Sequence, residues 1–116
     1  MNPEQLKGHL DLLLLAVIEP GPAHGYAVIE HLRARSGGTF DLPEGTIYPA
    51  LHRLEAAGWL VSNWEDAGGR RRRIYEITKA GKQTLAARRA DWEAFSGGVL
   101  AVLKRGARTP AFGGAA

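Results

Sequence analysis

Two adjacent glycines, Gly68-Gly69, separate two segments that have the composition of β-strands. The segments, residues 59–64 and 73–77, are rich in aromatic and β-branched side chains. Glycine adopts positive φ without steric cost, so this pair permits the two-residue turn of a tight hairpin. The sequence therefore predicts a β-hairpin whose turn lies in the polar stretch 65–72.

Four consecutive arginines, residues 70–73, follow these glycines directly. Guanidinium groups bind phosphate oxygens well, so such a run at a hairpin tip can lie along a nucleic-acid backbone. A solvated basic turn is the simpler alternative, and only the surrounding elements favour nucleic acid. Strand alternation would divide the four, and we expect at least two to contact DNA. Arg73 is expected to pair instead with an acid such as Glu76 or Asp66.

Composition restricts the class of protein without deciding its function. The chain has 116 residues, 45% of them hydrophobic and 23% charged, with a net charge of +3, which fits one mildly basic globular domain. It has no cysteine, so disulfides and thiolate metal sites are excluded. The longest apolar run, residues 12–18, is too short to span a bilayer, and its acidic flanks do not resemble a signal peptide. We therefore expect a cytoplasmic protein with no membrane partner.

Helical periodicity predicts three helices before the hairpin and one after it. The first two cover residues 3–19 and 23–35, and the last covers 79–104 after an N-cap at Thr78. The third follows a short connection through Phe40 and Leu42, directs Ile47, Leu51 and Leu54 inward and ends at Gly58. This order predicts an α+β, mainly α, winged helix-turn-helix with a C-terminal dimerisation helix. The DNA-binding domain would be residues 1–78, the dimerisation helix 79–105, and 106–116 a disordered tail rich in Gly, Ala and Pro.

Four segments closely resemble the PadR family of bacterial transcriptional regulators in content and order. They are His24-Gly25-Tyr26, then Gly-Thr-Ile-Tyr-Pro-Ala-Leu at 45–51, then residues 53–60, and finally residues 69–81. The resemblance covers roughly residues 10–85, and the single C-terminal helix resembles the smaller branch of the family. It implies a homodimeric, usually repressing protein that binds an inverted-repeat operator in double-stranded DNA, often near its own gene, without a cofactor. Family effectors, where known, are commonly small aromatic or lipophilic molecules.

In a winged helix-turn-helix the third helix would be the recognition helix, and we expect its polar residues to point away from the core. Phenol and imidazole groups can hydrogen-bond phosphates or base edges, and arginine can read guanine. Tyr48 and His52 could instead be merely exposed, and Tyr26 could equally pack in the core. Pro49 fits if the helix begins near Thr46, and otherwise kinks it. The candidate DNA-binding residues are Tyr26, Thr46, Tyr48, Pro49, His52, Arg53, Gly69, Arg70, Arg71, Arg72 and Arg73.

The last helix carries apolar residues at a spacing of seven, which is typical of a coiled-coil seam between two chains. The wide apolar run of the first helix indicates that a partner buries part of it. Gly97-Gly98 costs the last helix about 1 kcal/mol per glycine and leaves its length and straightness open. The candidate dimerisation residues are Leu10, Leu14, Leu85, Trp92, Phe95, Val99 and Val102. The resemblance implies a flat aromatic effector stacked on Trp92, and the alternative is a dimer-core Trp without ligand.

Other functional classes are less well supported. The four histidines are scattered and form no metal-ligand pair at helical spacing, and no acid, base and nucleophile converge, so we expect neither an enzyme nor a metal site. A winged helix used for protein–protein contact, with only non-specific nucleic-acid binding, is the main alternative. An apolar or acidic reading surface would favour that alternative, and this surface is polar and basic. The deep, narrow major groove of A-form RNA argues for DNA over RNA.

Overall fold

The computed structural model describes residues 3–105. Its architecture is the expected one, mainly helical with a small antiparallel sheet and a long final helix. The predicted tail, 106–116, lies outside the described residues, and none of the described helices is long and apolar enough to cross a membrane. In chain order the elements are α1 (Pro3–Ile18), β1 (Ala23–His24), α2 (Gly25–Arg35), α3 (Glu44–Ala56), β2 (Leu60–Ala67), β3 (Arg70–Ile77) and α4 (Lys79–Leu103).

The hairpin is longer than its composition indicated. Gly68 and Gly69 have φ of 59° and 78°, as a two-residue turn with positive φ at both central positions requires, and Ala67 pairs directly with Arg70. The four arginines therefore lie within β3 and not in a loop at the tip. Strand alternation consequently applies to all of them, and each has a fixed face.

A third strand was missed by the sequence interpretation. Residues 23–24, predicted as the start of a helix, form β1 and pair with Tyr75 and Ile74 of β3, so β3 is the central strand in the order β1-β3-β2. The helix begins at Gly25 because His24 caps it, its Nδ1 accepting a hydrogen bond from the Ala27 amide at 3.2 Å. The segment His24-Gly25-Tyr26, one of the four that resemble the PadR family, therefore lies where the chain enters α2.

Helix α3 begins before Thr46, the start that would place Pro49 in the first turn, and it ends where the sequence indicated. Its first residue is Glu44, so Pro49 is the sixth residue and not part of the first turn, and it cannot donate to the Gly45 carbonyl. At the other end Gly58, with φ of 83°, donates to the Glu55 carbonyl, and the Trp59 amide reaches back to Leu54. This pair of hydrogen bonds is the Schellman motif that favours glycine after a helix.

The core lies between the helices and the inner face of the sheet. Three residues predicted to contact a partner belong to it: Leu10 is 6% exposed, and Leu14 and Leu85 are fully buried. Their assignment to a dimer seam is wrong, because their own chain already covers them and leaves almost no surface for a partner. The other members of the core are Leu15, Val17, Ile18, Ala23, Val28, Leu32, Ile47, Ala50, Leu51, Leu54, Leu60, Tyr75 and Ile77.

Helix α4 starts against the core and then leaves it. Thr78 caps it as predicted, its Oγ1 accepting from the Gly81 amide at 3.0 Å, and the helix continues unbroken through Gly97-Gly98 to Leu103. All of α4 is described, and no residue after Leu85 is buried. The second half of this helix therefore presents its apolar side chains to solvent.

Thr78 connects the start of α4 to the segment between α3 and β2. The Trp59 carbonyl accepts from the Thr78 amide at 3.0 Å, and the Thr78 hydroxyl donates to the Gly58 carbonyl at 2.7 Å. Gly81 lies so close that a Cβ there would overlap the Trp59 carbonyl oxygen and lie 2.7 Å from Cγ1 of Ile77. The start of α4 is thus fixed to the end of the recognition helix.

Substitution of two glycines of α4 should have opposite effects. Gly81→Ala should destabilise the fold by about 1–3 kcal/mol, because rigid backbone atoms occupy the space of the new methyl group. Gly97→Ala, where no atom lies within 4 Å, should be neutral or stabilise by up to about 1 kcal/mol through helix propensity. Chemical denaturation of both variants tests this, and equal unfolding midpoints would contradict it.

Candidate nucleic-acid interface

Several of the residues that the sequence singled out come together in one groove. The groove has a volume of about 330 Å³ and lies between the start of α2, the middle of α3 and the wing, by which we mean the hairpin of β2 and β3. None of the side chains that line it is acidic, and five are arginine or histidine. Its lining consists of His24, Gly25, Tyr26, Tyr48, His52, Trp64, Arg71, Arg72, Arg73 and Tyr75.

Tyr48 is oriented differently from the expectation that it points away from the core. Its ring lies over Gly25, where a Cβ would come within 2.7 Å of the hydroxyl oxygen and closer to the ring, and it packs against the core cluster. Burial, with a smaller contribution from the Glu44 carboxylate, raises the pKa of Tyr48 above its ordinary value. The phenol therefore stays protonated at neutral pH and is available as a donor to an acceptor in the groove.

The inner face of the wing carries a stack of two arginines on an indole. The guanidinium of Arg71 lies 4.7 Å from the Trp64 ring centroid and that of Arg73 lies 5.2 Å from it, both within the range of cation–π attraction. Trp64 is 55% exposed. Trp64 is not among the DNA-binding residues that the sequence predicted. One signal in the sequence could have placed Trp64 beside the arginines. A two-residue turn at Gly68-Gly69 puts Trp64 directly opposite Arg73.

Arg73 anchors the wing to the recognition helix. Its Nε donates to Ser62 Oγ at 2.6 Å, Ser62 donates to a Glu55 carboxylate oxygen at 2.6 Å, and Arg73 itself lies 3.7 Å from that oxygen. Arg73 thus pairs with an acid, as expected, but the acid is Glu55 and not Glu76 or Asp66. Glu76 lies on the opposite face of β3, and Asp66 pairs in register with Arg71, beyond Trp64.

Arg53 lies outside the groove. It forms an ion pair of 2.5 Å with Asp11 of α1, and the other carboxylate oxygen of Asp11 is 3.6 Å from Arg88 of α4. Arg53 therefore joins α3 to α1, and Asp11 extends the connection to α4, although the Arg53 side chain is still 56% exposed. Of the remaining candidates, Thr46 and Pro49 are outside the groove lining, and Gly69 and Arg70 are exposed at the end of the wing.

Comparison with known proteins identifies the family. The sequence model described as the transcriptional regulator PadR-like family matches residues 14–87, which include α3 and the whole wing. The chain belongs to the PadR-like family. One relative of this PadR-like protein is Rv3488, a transcriptional regulator of Mycobacterium tuberculosis, which is 42% identical over 77 residues covering 66% of this chain and 69% of that protein.

Solved structures agree with this assignment. A transcriptional regulator from Clostridium thermocellum matches with a TM-score of 0.78 and 25% identity, covering 87% of this chain and 99% of that one. A PadR family regulator from Eggerthella lenta matches with a TM-score of 0.75 and 32% identity, covering 88% of each chain. This PadR-like protein is accordingly a DNA-binding transcriptional regulator with a winged helix-turn-helix fold.

Gly25→Ala should weaken DNA binding by displacing the Tyr48 ring from its position in the groove. We expect an affinity loss of about tenfold, with a stability loss of about 1–2 kcal/mol because the ring can partly rotate away. Gly21→Ala is the matched control, since no atom lies within 4 Å of its Cβ position. Fluorescence anisotropy with a labelled duplex measures both variants. Unchanged affinity of Gly25→Ala would show that the Tyr48 position is not needed.

Proposed function

We propose that this PadR-like regulator is a homodimeric repressor that binds an inverted-repeat operator in duplex DNA, near its own or neighbouring genes. The observation that carries the proposal is the acid-free groove between α3 and the wing. Polar residues of the recognition helix and three arginines of β3 line this groove together, Arg71 and Arg73 from one face of the strand and Arg72 from the other. Base reading and phosphate binding need this combination at one surface.

In the proposed complex the face of α3 that carries Tyr48 and His52 enters the major groove, which is wide enough to admit a helix. His52 is exposed, and Tyr48 keeps its proton, so both offer hydrogen bonds to base edges or phosphates. Arg70 and Arg71 follow the phosphates beside the minor groove. Arg73 holds the wing at the correct distance from α3 through Ser62 and contributes mainly to position.

The proposed dimer forms through the second half of α4. Phe95 is 65% exposed, Val102 84% and Trp92 41%, which is an unusual density of apolar surface for a solvated helix. A helix without tertiary contacts is marginal at this length, especially with two central glycines, so burial against a second copy would stabilise it. A two-fold dimer would place two recognition helices about 34 Å apart, which suits an inverted repeat.

The proposed effector site lies beside Trp92. A cavity of about 450 Å³ has a largely apolar lining from α1, the α2–α3 connection and α4. The His9 ring lies 4.9 Å from the Trp92 ring at an interplanar angle of 58°, so an aromatic ring already packs against the indole. A small aromatic ligand bound here would favour one separation of the two wings and so release the DNA. The lining residues are Leu6, His9, Leu12, Leu13, Phe40, Trp92 and Phe95.

Titration onto a duplex of the protein's own upstream region tests the operator proposal. A scrambled duplex of equal composition serves as control, and both are measured at 50 and 200 mM salt. We expect the upstream duplex to bind at least about 1,000-fold more tightly, as specific DNA-binding proteins do. Weak binding that is equal for both duplexes and vanishes with salt would instead support a protein-contact module with only counterion-release affinity.

Trp92→Ala distinguishes a role of Trp92 in effector binding from a role in dimer packing. If the indole holds a ligand, the variant should keep its dimer mass in sedimentation and its DNA affinity within about threefold, while flat aromatic dyes no longer release the DNA. Trp92→Phe is the control that keeps an aromatic ring at this position. Parallel loss of the dimer and of DNA binding in Trp92→Ala would indicate that the indole only packs between subunits.

A further inference from the structure

The His24 side chain connects the start of α2 with the outer face of β3. Its Nδ1 lies 3.2 Å from the Ala27 amide nitrogen and caps the helix. Its other ring nitrogen, Nε2, lies 3.3 Å from Nη1 of Arg72. The two contacts make different demands on the same ring, because a neutral imidazole has one acceptor nitrogen and one donor nitrogen.

The cap decides which nitrogen carries the proton. The Ala27 N–H is a donor fixed by the first turn of α2, so Nδ1 must present its lone pair and Nε2 must carry the hydrogen. The opposite tautomer would let Nε2 accept from Arg72 but would set two N–H groups against each other at the cap. Arg72 is exposed and can donate to water, whereas the amide is part-buried and less accessible to water. Two donors therefore lie side by side at 3.3 Å, and neither satisfies the other.

Converging donors of this kind suit an oxygen anion with several lone pairs. Within residues 3–105, no ion pair engages Arg72, although Glu65 is its cross-strand neighbour. The amino end of α2, with its partial positive charge, begins at the next residue after His24. Both side chains also line the groove between α3 and the wing.

We propose that His24 and Arg72 form a clamp for one phosphate of the DNA backbone, with His24 Nε2–H and Arg72 Nη1 donating to the same phosphate group. The inference rests on the proposed function in taking duplex DNA as the ligand. It extends that function by adding His24 to the interface and by bridging α2 and the wing through one phosphate. The bound phosphate thereby fixes the wing relative to the helix-turn-helix.

Two variants remove one donor each while the cap of α2 is kept. His24→Asn keeps a side-chain oxygen that caps α2 but has no donor at the Nε2 position. Arg72→Gln removes the charge. His24→Asn should lower DNA affinity about 5- to 30-fold with an unchanged salt slope, since no charge is lost. Arg72→Gln should lower the affinity and also reduce the slope by about one unit.

The double variant tests whether the donors share a phosphate. Its fold-loss should be clearly smaller than the product of the two single losses, because either substitution already disrupts the shared contact. Independent, multiplying losses would overturn the clamp, as would a His24→Asn protein that binds like the wild type. Melting temperatures check the fold. His24→Asn should melt with the wild type, and His24→Ala, which lacks the cap, should melt lower.

All of these titrations are made on both the upstream and the scrambled duplex, since a phosphate contact is independent of sequence. Equal wild-type binding to both duplexes would remove the operator proposal and leave the clamp to be judged by its variants. Failure of the wild type to bind either duplex would overturn both. Nitrogen-15 NMR of the His24 ring is a direct readout: a proton on Nε2 is expected, and a proton on Nδ1 would overturn the clamp.

Discussion

The pairing of β3 with both of its neighbours is the constraint on which the interface depends. The carboxyl half of β3 places Tyr75 and Ile77 in the core, and its amino half carries the arginines. Alternation along one strand therefore relates each arginine to the core: Arg71 and Arg73 share the face of Tyr75, and Arg70 and Arg72 lie on the other. A slip of one residue would exchange the faces, and the two-glycine turn opposes that slip.

One consequence is that four identical residues acquire four different environments. Arg73 is held by Ser62 and Glu55, Arg71 stacks on Trp64, Arg72 lies beside His24, and Arg70 is at the turn. Side chains held in this way lose less conformational entropy when DNA binds than a free run of arginines would. The wing is thus a set of oriented donors, and its action is more specific than its charge alone implies.

The order of elements, the hairpin and the Thr78 cap could be predicted because each has a local signal. Strand β1 could not, since two residues become a strand only when β3 lies beside them. The Asp11–Arg53 ion pair joins positions 42 apart in sequence, and no pattern in either helix indicates it. The position of Tyr48 depends on the absence of a side chain at Gly25, in a different helix.

The dimer seam shows a different limit of the sequence. Leucines at helical spacing look the same whether their own chain or a partner covers them, so Leu14 and Leu85 were assigned to the wrong surface. Only the fold distinguishes them from Phe95 and Val102, which their own chain leaves exposed. The apolar pattern of α4 thus has two parts, one that attaches the helix to the domain and one that its own chain does not use.

Asp11 of α1 connects α4 to the recognition helix, because its two carboxylate oxygens bind Arg53 of α3 and Arg88 of α4. Exposed ion pairs contribute at most about 1 kcal/mol each, so this carboxylate alone would transmit only a small shift between α4 and the DNA. The stronger connection is the junction at Trp59, where Arg88 stacks on the ring at 4.8 Å and Thr78 and Gly81 pack on the backbone. A ligand or partner that moves α4 must therefore move its first turns as a rigid unit with the end of α3. In the proposed dimer, a displacement of α4 would therefore reach the groove mainly through these packing contacts, and the charges on Asp11 would contribute less.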